Sequence, residues 1–280
     1  MEISDVNNLI QIYKYQMSFH SPQFIFSNFE EWKKSFKEDI DGEGRILFKE
    51  LFVKAIYEDT SLVGFIQYGK TAFGFLETGD ISFDVSYNVI RNIYFDENRL
   101  DVGNALIKHA INYFNEDEKV YAFFHYFGMS CFARHGKLFE KYEHIEKALI
   151  NNGFEIEHEN VYYSSRLFES EKEDIVLKPH KLTLGKQQYF DFLIDDKHVG
   201  GCEIHYVNQK AAYLRWIYIN GDIVGKGIGS KCMKALKSYL FEKCINRFDT
   251  DTALSNNVAQ HFYEKNNFIK EGITKSYYKL

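Results

Sequence analysis

Two stretches of this 280-residue chain read as copies of each other, 124 positions apart. Arg91-Asn92-Ile93-Tyr94-Phe95 resembles Arg215-Trp216-Ile217-Tyr218-Ile219, and Gly103 and Gly227 follow at that same offset. Val63-Gly64 and Val199-Gly200 lie upstream in strand-like stretches, while Asn152-Gly153-Phe154 and Asn266-Asn267-Phe268 lie downstream. Four matches in one order indicate a duplication, which limits the chain to folds whose unit is one copy long. The charged run 169–174, followed by Pro179, has no apolar periodicity and is the expected junction. The division that results is 1–168 and 175–280.

The copies are unequal. Helices are expected around Val6 to Met17 and Phe29 to Ile40 in the first, whereas the second begins directly with strands. In the second, Gln187 to Asp195 and Val199 to Val207 read as strands around an Asp-Asp-Lys turn, and Ala211 to Ile219 as a third. Ile228, Cys232, Leu236 and Leu240 recur every four residues, the mark of a helix over Gly225 to about Lys243. Arg247 to Leu254 reads as a strand and Asn256 to Lys265 as a helix capped by Asn256, with two short strands closing the copy.

A net charge of -6 argues against a nucleic-acid partner, which needs a basic face. No apolar run reaches the roughly 18 residues that span a bilayer, so no membrane partner is expected, and no secretory signal opens the chain. Cys131, Cys202, Cys232 and Cys244 show no CxxC spacing and suit free thiols in a reducing cytoplasm. Cys131 and His135 alone make no metal site, since a second ligand pair is missing.

The sharpest local signal is Val224-Gly225-Lys226-Gly227-Ile228-Gly229, between a strand and a helix. A helix start exposes unpaired N–H groups and the positive end of the helix dipole, and glycines let an anion approach the backbone closely. The run is no Walker loop, because Gly227 rather than Ser or Thr follows Lys226, and its third glycine is misplaced for a Rossmann turn. A pyrophosphate cradle and a merely structural helix start both remain open at this point.

The segment resembles the R/Q-x-x-G-x-G/A loop of GNAT acetyltransferases. Their next helix reads N-x-x-A-x-x-F-Y-x-x-x-G-F, and Asn256, Ala259, Phe262, Tyr263 and Phe268 fall on that pattern, with Asn267 in place of the glycine. The resemblance covers roughly Val199 to Leu280. It implies an α/β chain of two GNAT-like domains, each a mostly antiparallel splayed sheet flanked by helices. It also implies acetyl-CoA as co-substrate, held by Ile217, Tyr218, Ile219, Val224, Gly225, Lys226, Gly227, Ile228, Gly229 and Asn256. Tyr263 would be the general acid that protonates the leaving thiolate, a role within reach of a phenol of ordinary pKa about 10.

Val224 stands where the family usually has Arg or Gln, which removes one phosphate contact. Tyr213, Glu203 and His205 border the implied acceptor cleft, and none stands out as general base. In the first copy Leu100 replaces the Arg or Gln, Gly103-Asn104-Ala105 keeps only G-x-A, and Leu149 takes the position of Tyr263. That copy reads as degenerate. The expected reaction is acetyl transfer from acetyl-CoA to a primary amine of a small molecule or peptide. The rival is a CoA-binding or scaffolding protein without turnover. The copies are expected to pack as one unit, the first covering a sheet face of the second.

Overall fold

The computed structural model describes residues 2–6, 8–25, 28–41, 44–115, 118–169, 173–180 and 186–280. Part of the expected junction, residues 170–172, therefore lies outside the described residues, as does the side chain of His135. The chain divides into two compact units. One comprises Met1–Asp41, Arg45–Glu159 and Thr274–Leu280; the other is chiefly Asn160–Ile273.

In the first unit the elements are β1 (Ile3–Asp5), α1 (Leu9–Ser18), α2 (Phe29–Lys37), β2 (Phe48–Glu58), β3 (Ser61–Thr71), β4 (Gly74–Phe75), β5 (Ile81–Ser82), β6 (Asn88–Phe95), α3 (Leu100–Ile111), β7 (Val120–Ala122), β8 (Leu138–Phe139) and α4 (Glu143–Asn151). Then comes β9 (Glu155–Arg166), followed by β10 (Val176–Pro179), β11 (Gln187–Ile194), β12 (Lys197–Tyr206), β13 (Ala211–Ile219), α5 (Ile228–Glu242), β14 (Arg247–Ala253), α6 (Asn257–Lys265) and β15 (Ile269–Lys279). No helix among the described residues is long and apolar enough to cross a membrane.

The second unit orders its strands β9-β14-β13-β12-β11-β10. All neighbours are antiparallel except β13 and β14, which run parallel, so the sheet is mixed. Asp195 and Asp196 take positive φ (46° and 59°) and close the β11–β12 hairpin in two residues. One face of the sheet carries Phe190, Phe192, Cys202, Ile204, Ala212, Leu214 and Phe248, which pack with Cys232, Met233, Leu236 and Leu240 of α5 and Tyr263 of α6. The first unit repeats the pattern: β1-β2-β3-β6-β7 are consecutive, with β6 and β7 parallel.

The two short strands expected to close the second copy are one long strand, β15, and the first copy likewise ends in one long strand, β9. Nothing between Glu155 and Arg166 breaks extended backbone, and Val161, Tyr162 and Tyr163 favour it. In β15, Gly272 carries the chain onward at φ 148° instead of turning it. Residues 274–280 of β15 consequently belong to the first unit, where Tyr277 pairs with Ala122 and Tyr278 with Tyr121.

Candidate active site

The glycine loop leaves open space in front of the start of α5. The chain leaves β13, makes a tight turn at Gly221–Ile223 and passes through Val224–Gly227 into α5. Gly225 and Gly227 sit at φ 82° and 81°, left-handed values that disfavour other residues, and a β-carbon on either would meet no atom within 4 Å. Gly227 caps α5 with no side-chain hydrogen bond, so the amides of its first turn, from Ile228, Gly229 and Ser230, open toward that clear space. Lys226 is exposed, its Nζ donating to the Asp222 carbonyl at 3.0 Å. Val224 is 64% exposed and offers an anion only its backbone.

The strand leading to this loop has a free edge. The β13–β14 ladder runs from Ala211↔Arg247 to Leu214↔Thr250 and ends there, although β14 continues to Ala253 beside β9. From Arg215 on, β13 is paired only with β12, including Cys202↔Ile217, Gly201↔Tyr218 and Gly200↔Ile219. The register slips at Arg215, because Glu203 faces Trp216 while Ile204 faces Leu214; such a bulge twists the strand away from its neighbour. Ile217 and Ile219 pack toward the core beneath α5, and Trp216 and Tyr218 are exposed on the other face. An extended amide-bearing chain laid in this fork would find unpaired backbone groups at Ile217–Ile219.

Tyr263 stands at the apex of the fork. It is 5% exposed and its hydroxyl is hydrogen-bonded to Thr250, the last residue of β14 paired with β13. Burial raises its pKa above the ordinary phenol value, the Thr250 bond partly offsets that, and the charge of Asp251 adds to it. The phenol therefore keeps its proton at neutral pH. Asn256 caps α6, its Oδ1 accepting the Ala259 N–H at 3.1 Å. Asn267 adopts φ 61°, as the family glycine would.

The other face of the fork is polar. Glu203 is 2% exposed and both its oxygens are engaged, one by Arg215 and the other by the Trp216 indole N–H at 2.7 Å. His205 is driven down to a pKa of about 4 by burial, then by the charges of Arg215 and Lys186, so it is neutral at pH 7. The Tyr213 hydroxyl donates to Asp251. Asp251 is absent from the expected residues. The polar strand Asp249-Thr250-Asp251-Thr252 was its one sequence signal, since alternation places both aspartates on one face.

The equivalent positions of the first unit are filled. Its helix α3 starts at Leu100, the counterpart of Val224, so helix replaces the loop. Gly103 lies inside α3, where a β-carbon would come within 2.3 Å of the Phe95 ring; this glycine serves close helix–strand packing. Arg91 occupies the same bulge position as Arg215 but is 1% exposed. Its guanidinium pairs with Asp39 and donates to the carbonyls of Phe127 (3.1 Å), Gly128 (2.9 Å) and Ser35 (3.0 Å). Leu149, in the place of Tyr263, is fully buried.

Residues 151–268 match the family model described as the acetyltransferase (GNAT) family. No curated protein sequence matches the chain. Among solved structures the fold is similar to a fungal multi-domain GH3 β-N-acetylglucosaminidase containing a GCN5-related glucosamine N-acetyltransferase region, at TM-score 0.66 and 9% identity over 99% of this chain. This chain spans only 38% of that protein. A tandem GNAT protein from the clavulanic acid biosynthesis pathway matches at TM-score 0.62 and 9% identity, covering 99% of this chain and 98% of that one. A GCN5-related N-acetyltransferase from Sphaerobacter thermophilus matches at 0.60 and 8%, covering 99% and 95%. The glycine loop and the splayed strands thus lie within the segment, residues 151–268, that matches the GNAT acetyltransferase family model, in a chain whose fold is similar over 99% of its length to that of a tandem GNAT protein.

Proposed function

We propose that the second unit, centred on 175–280, transfers an acetyl group from acetyl-CoA to a primary amine of a small molecule or peptide, and that the first unit binds no acetyl-CoA. One observation carries this reading: the β13–β14 ladder ends at Leu214↔Thr250, and the Tyr263 hydroxyl is bonded to that same Thr250. The first-turn amides of α5 and the backbone of Gly225 and Gly227 would hold the pyrophosphate. The free edge of Ile217–Ile219 would hold the pantetheine amides, and a β13 amide the thioester oxygen as charge develops on it. Tyr263 would then give its proton to the departing sulfur. The four free thiols suit work in a reducing compartment such as the cytoplasm.

A CoA-binding role without turnover is the second reading, favoured by Val224, which provides no side-chain phosphate contact. Titration calorimetry with acetyl-CoA, combined with thiol release across a panel of primary amines and mass analysis of the products, separates the two. Binding with acetylated product supports transfer. Binding without thiol release for any amine supports the second reading, and absence of binding overturns both.

A further inference from the structure

Two carboxylates project from one face of β14, and their surroundings differ. Asp249 is fully buried, paired with Arg247 at 2.8 Å and receiving the Tyr162 hydroxyl at 2.5 Å. Asp251 is half-buried and is the first β14 residue beyond the last pair with β13, which places it at the mouth of the fork. The Tyr213 hydroxyl reaches it diagonally from β13. Its neighbour Thr250, on the opposite face, is the partner of Tyr263.

We propose that Asp251, held by Tyr213, is the catalytic group that receives the proton of the incoming ammonium; this rests on the transferase reading above. The other candidates are less suitable. Glu203 has both oxygens committed to Arg215 and Trp216. His205 is 8% exposed and pairs with Tyr213 inside the ladder, short of the fork. Tyr213 is itself a donor to Asp251. The ionisable groups around Asp251 are Tyr213 from β13, Tyr162 opposite it on β9, Tyr263 from α6 and the Asp249–Arg247 pair on its own strand, with Glu203–Arg215 on the neighbouring strands.

The step balances. An ammonium at the fork gives one proton to the Asp251 carboxylate, which releases it to solvent. The neutral nitrogen attacks the thioester carbon, the C–N bond forms, the C–S bond breaks, and Tyr263 protonates the sulfur. The second nitrogen proton returns to the Tyr263 oxygen, leaving amide and free thiol.

The test uses the full chain and the amine of the panel with the highest turnover, with kcat and kcat/KM measured from pH 6 to 10. Asp251→Asn should lower kcat by about 100- to 10,000-fold while acetyl-CoA affinity by calorimetry stays within about twofold. Its residual rate should climb with pH as free amine accumulates, a profile that a purely structural role would not produce. Asp251→Glu should recover part of the rate. Wild-type kcat and pH profile in Asp251→Asn overturn the proposal. If that variant does not fold, the same wild-type behaviour in Asp251→Ala overturns it. A wild-type protein that binds acetyl-CoA but acetylates no amine instead overturns the transferase reading, and this proposal with it.

Discussion

Replacing Tyr263 with Phe removes one hydroxyl and little else. The ring stays packed against Tyr163, Phe262 and Phe268, whose centroids lie 5.7, 5.6 and 5.5 Å away. Thr250 loses a partner but keeps its bond to the Leu214 carbonyl at 3.0 Å, so no buried hydroxyl is orphaned. The stability cost should therefore be that of one net hydrogen bond, about 1 kcal/mol. If the phenol supplies the leaving-group proton, its loss lowers kcat by about 100- to 10,000-fold, or about 2.7–5.4 kcal/mol in the barrier. A structural hydroxyl worth about 1 kcal/mol changes the rate by about fivefold at most. Chemical denaturation measures the first quantity, and thiol release at saturating acetyl-CoA the second. Acetyl-CoA affinity should not move. A Tyr263→Phe protein within about fivefold of wild-type kcat would remove Tyr263 from the proton transfer.

Gly227→Val forces a β-branched residue to φ 81° and fills the space at the start of α5; calorimetry should show acetyl-CoA binding weakened by about tenfold or more, and unchanged affinity in a folded variant would dismiss the loop as the pyrophosphate site. A chain of Ile175–Leu280 alone lacks β9, which pairs with β14 from Arg247↔Arg166 to Ala253↔Asn160, so it should fail to unfold cooperatively while a chain starting at Glu155 does; equal behaviour by circular dichroism would refute this. His205 should make the protein acid-sensitive. Its folded pKa of about 4 lies below the ordinary 6.5, so its contribution is intact above pH 6.5 and is lost as pH falls toward 4, by about 3 kcal/mol. Denaturant titrations at pH 7.5 and 4.5 should show a smaller drop for His205→Gln than for the wild type, and an equal drop would contradict the assignment.

The parts of the site that depend on backbone freedom were legible in the sequence. Gly225 and Gly227 mark left-handed positions, and Asn256 caps the helix it was expected to cap. The helix starts three residues later than its periodicity suggests, at Ile228, because those glycines hold the preceding turn open. Asp251 does not stand out in the sequence because an aspartate on a strand reads as solvated; only the end of the β13–β14 ladder gives it a place, and ladder ends leave no mark in one strand's sequence. Arg91 and Arg215 show the same limit. They are equivalent in sequence and both sit at a bulge, yet one is sealed by Asp39 and three carbonyls while the other remains 30% exposed. The partners that decide between these fates come from α2, the residues just after it and the segment after β7, far from either arginine in sequence.

The long strand β15 has a consequence for the order of folding. Tyr277 pairs with Ala122, so the first unit draws a strand of its sheet from the last residues of the chain. During synthesis from the N-terminus, β7 has no partner on that side until those residues emerge. The first unit cannot be completed on the ribosome ahead of the second, contrary to the usual N-terminal-first order of multidomain chains. Closing a pairing across more than 150 residues also places a large chain-entropy cost before its reward, the condition under which folding is slow. A stop a few residues early would remove no proposed active-site residue, yet would leave β7 of the first unit with an open strand edge, the template on which chains pair with one another and aggregate.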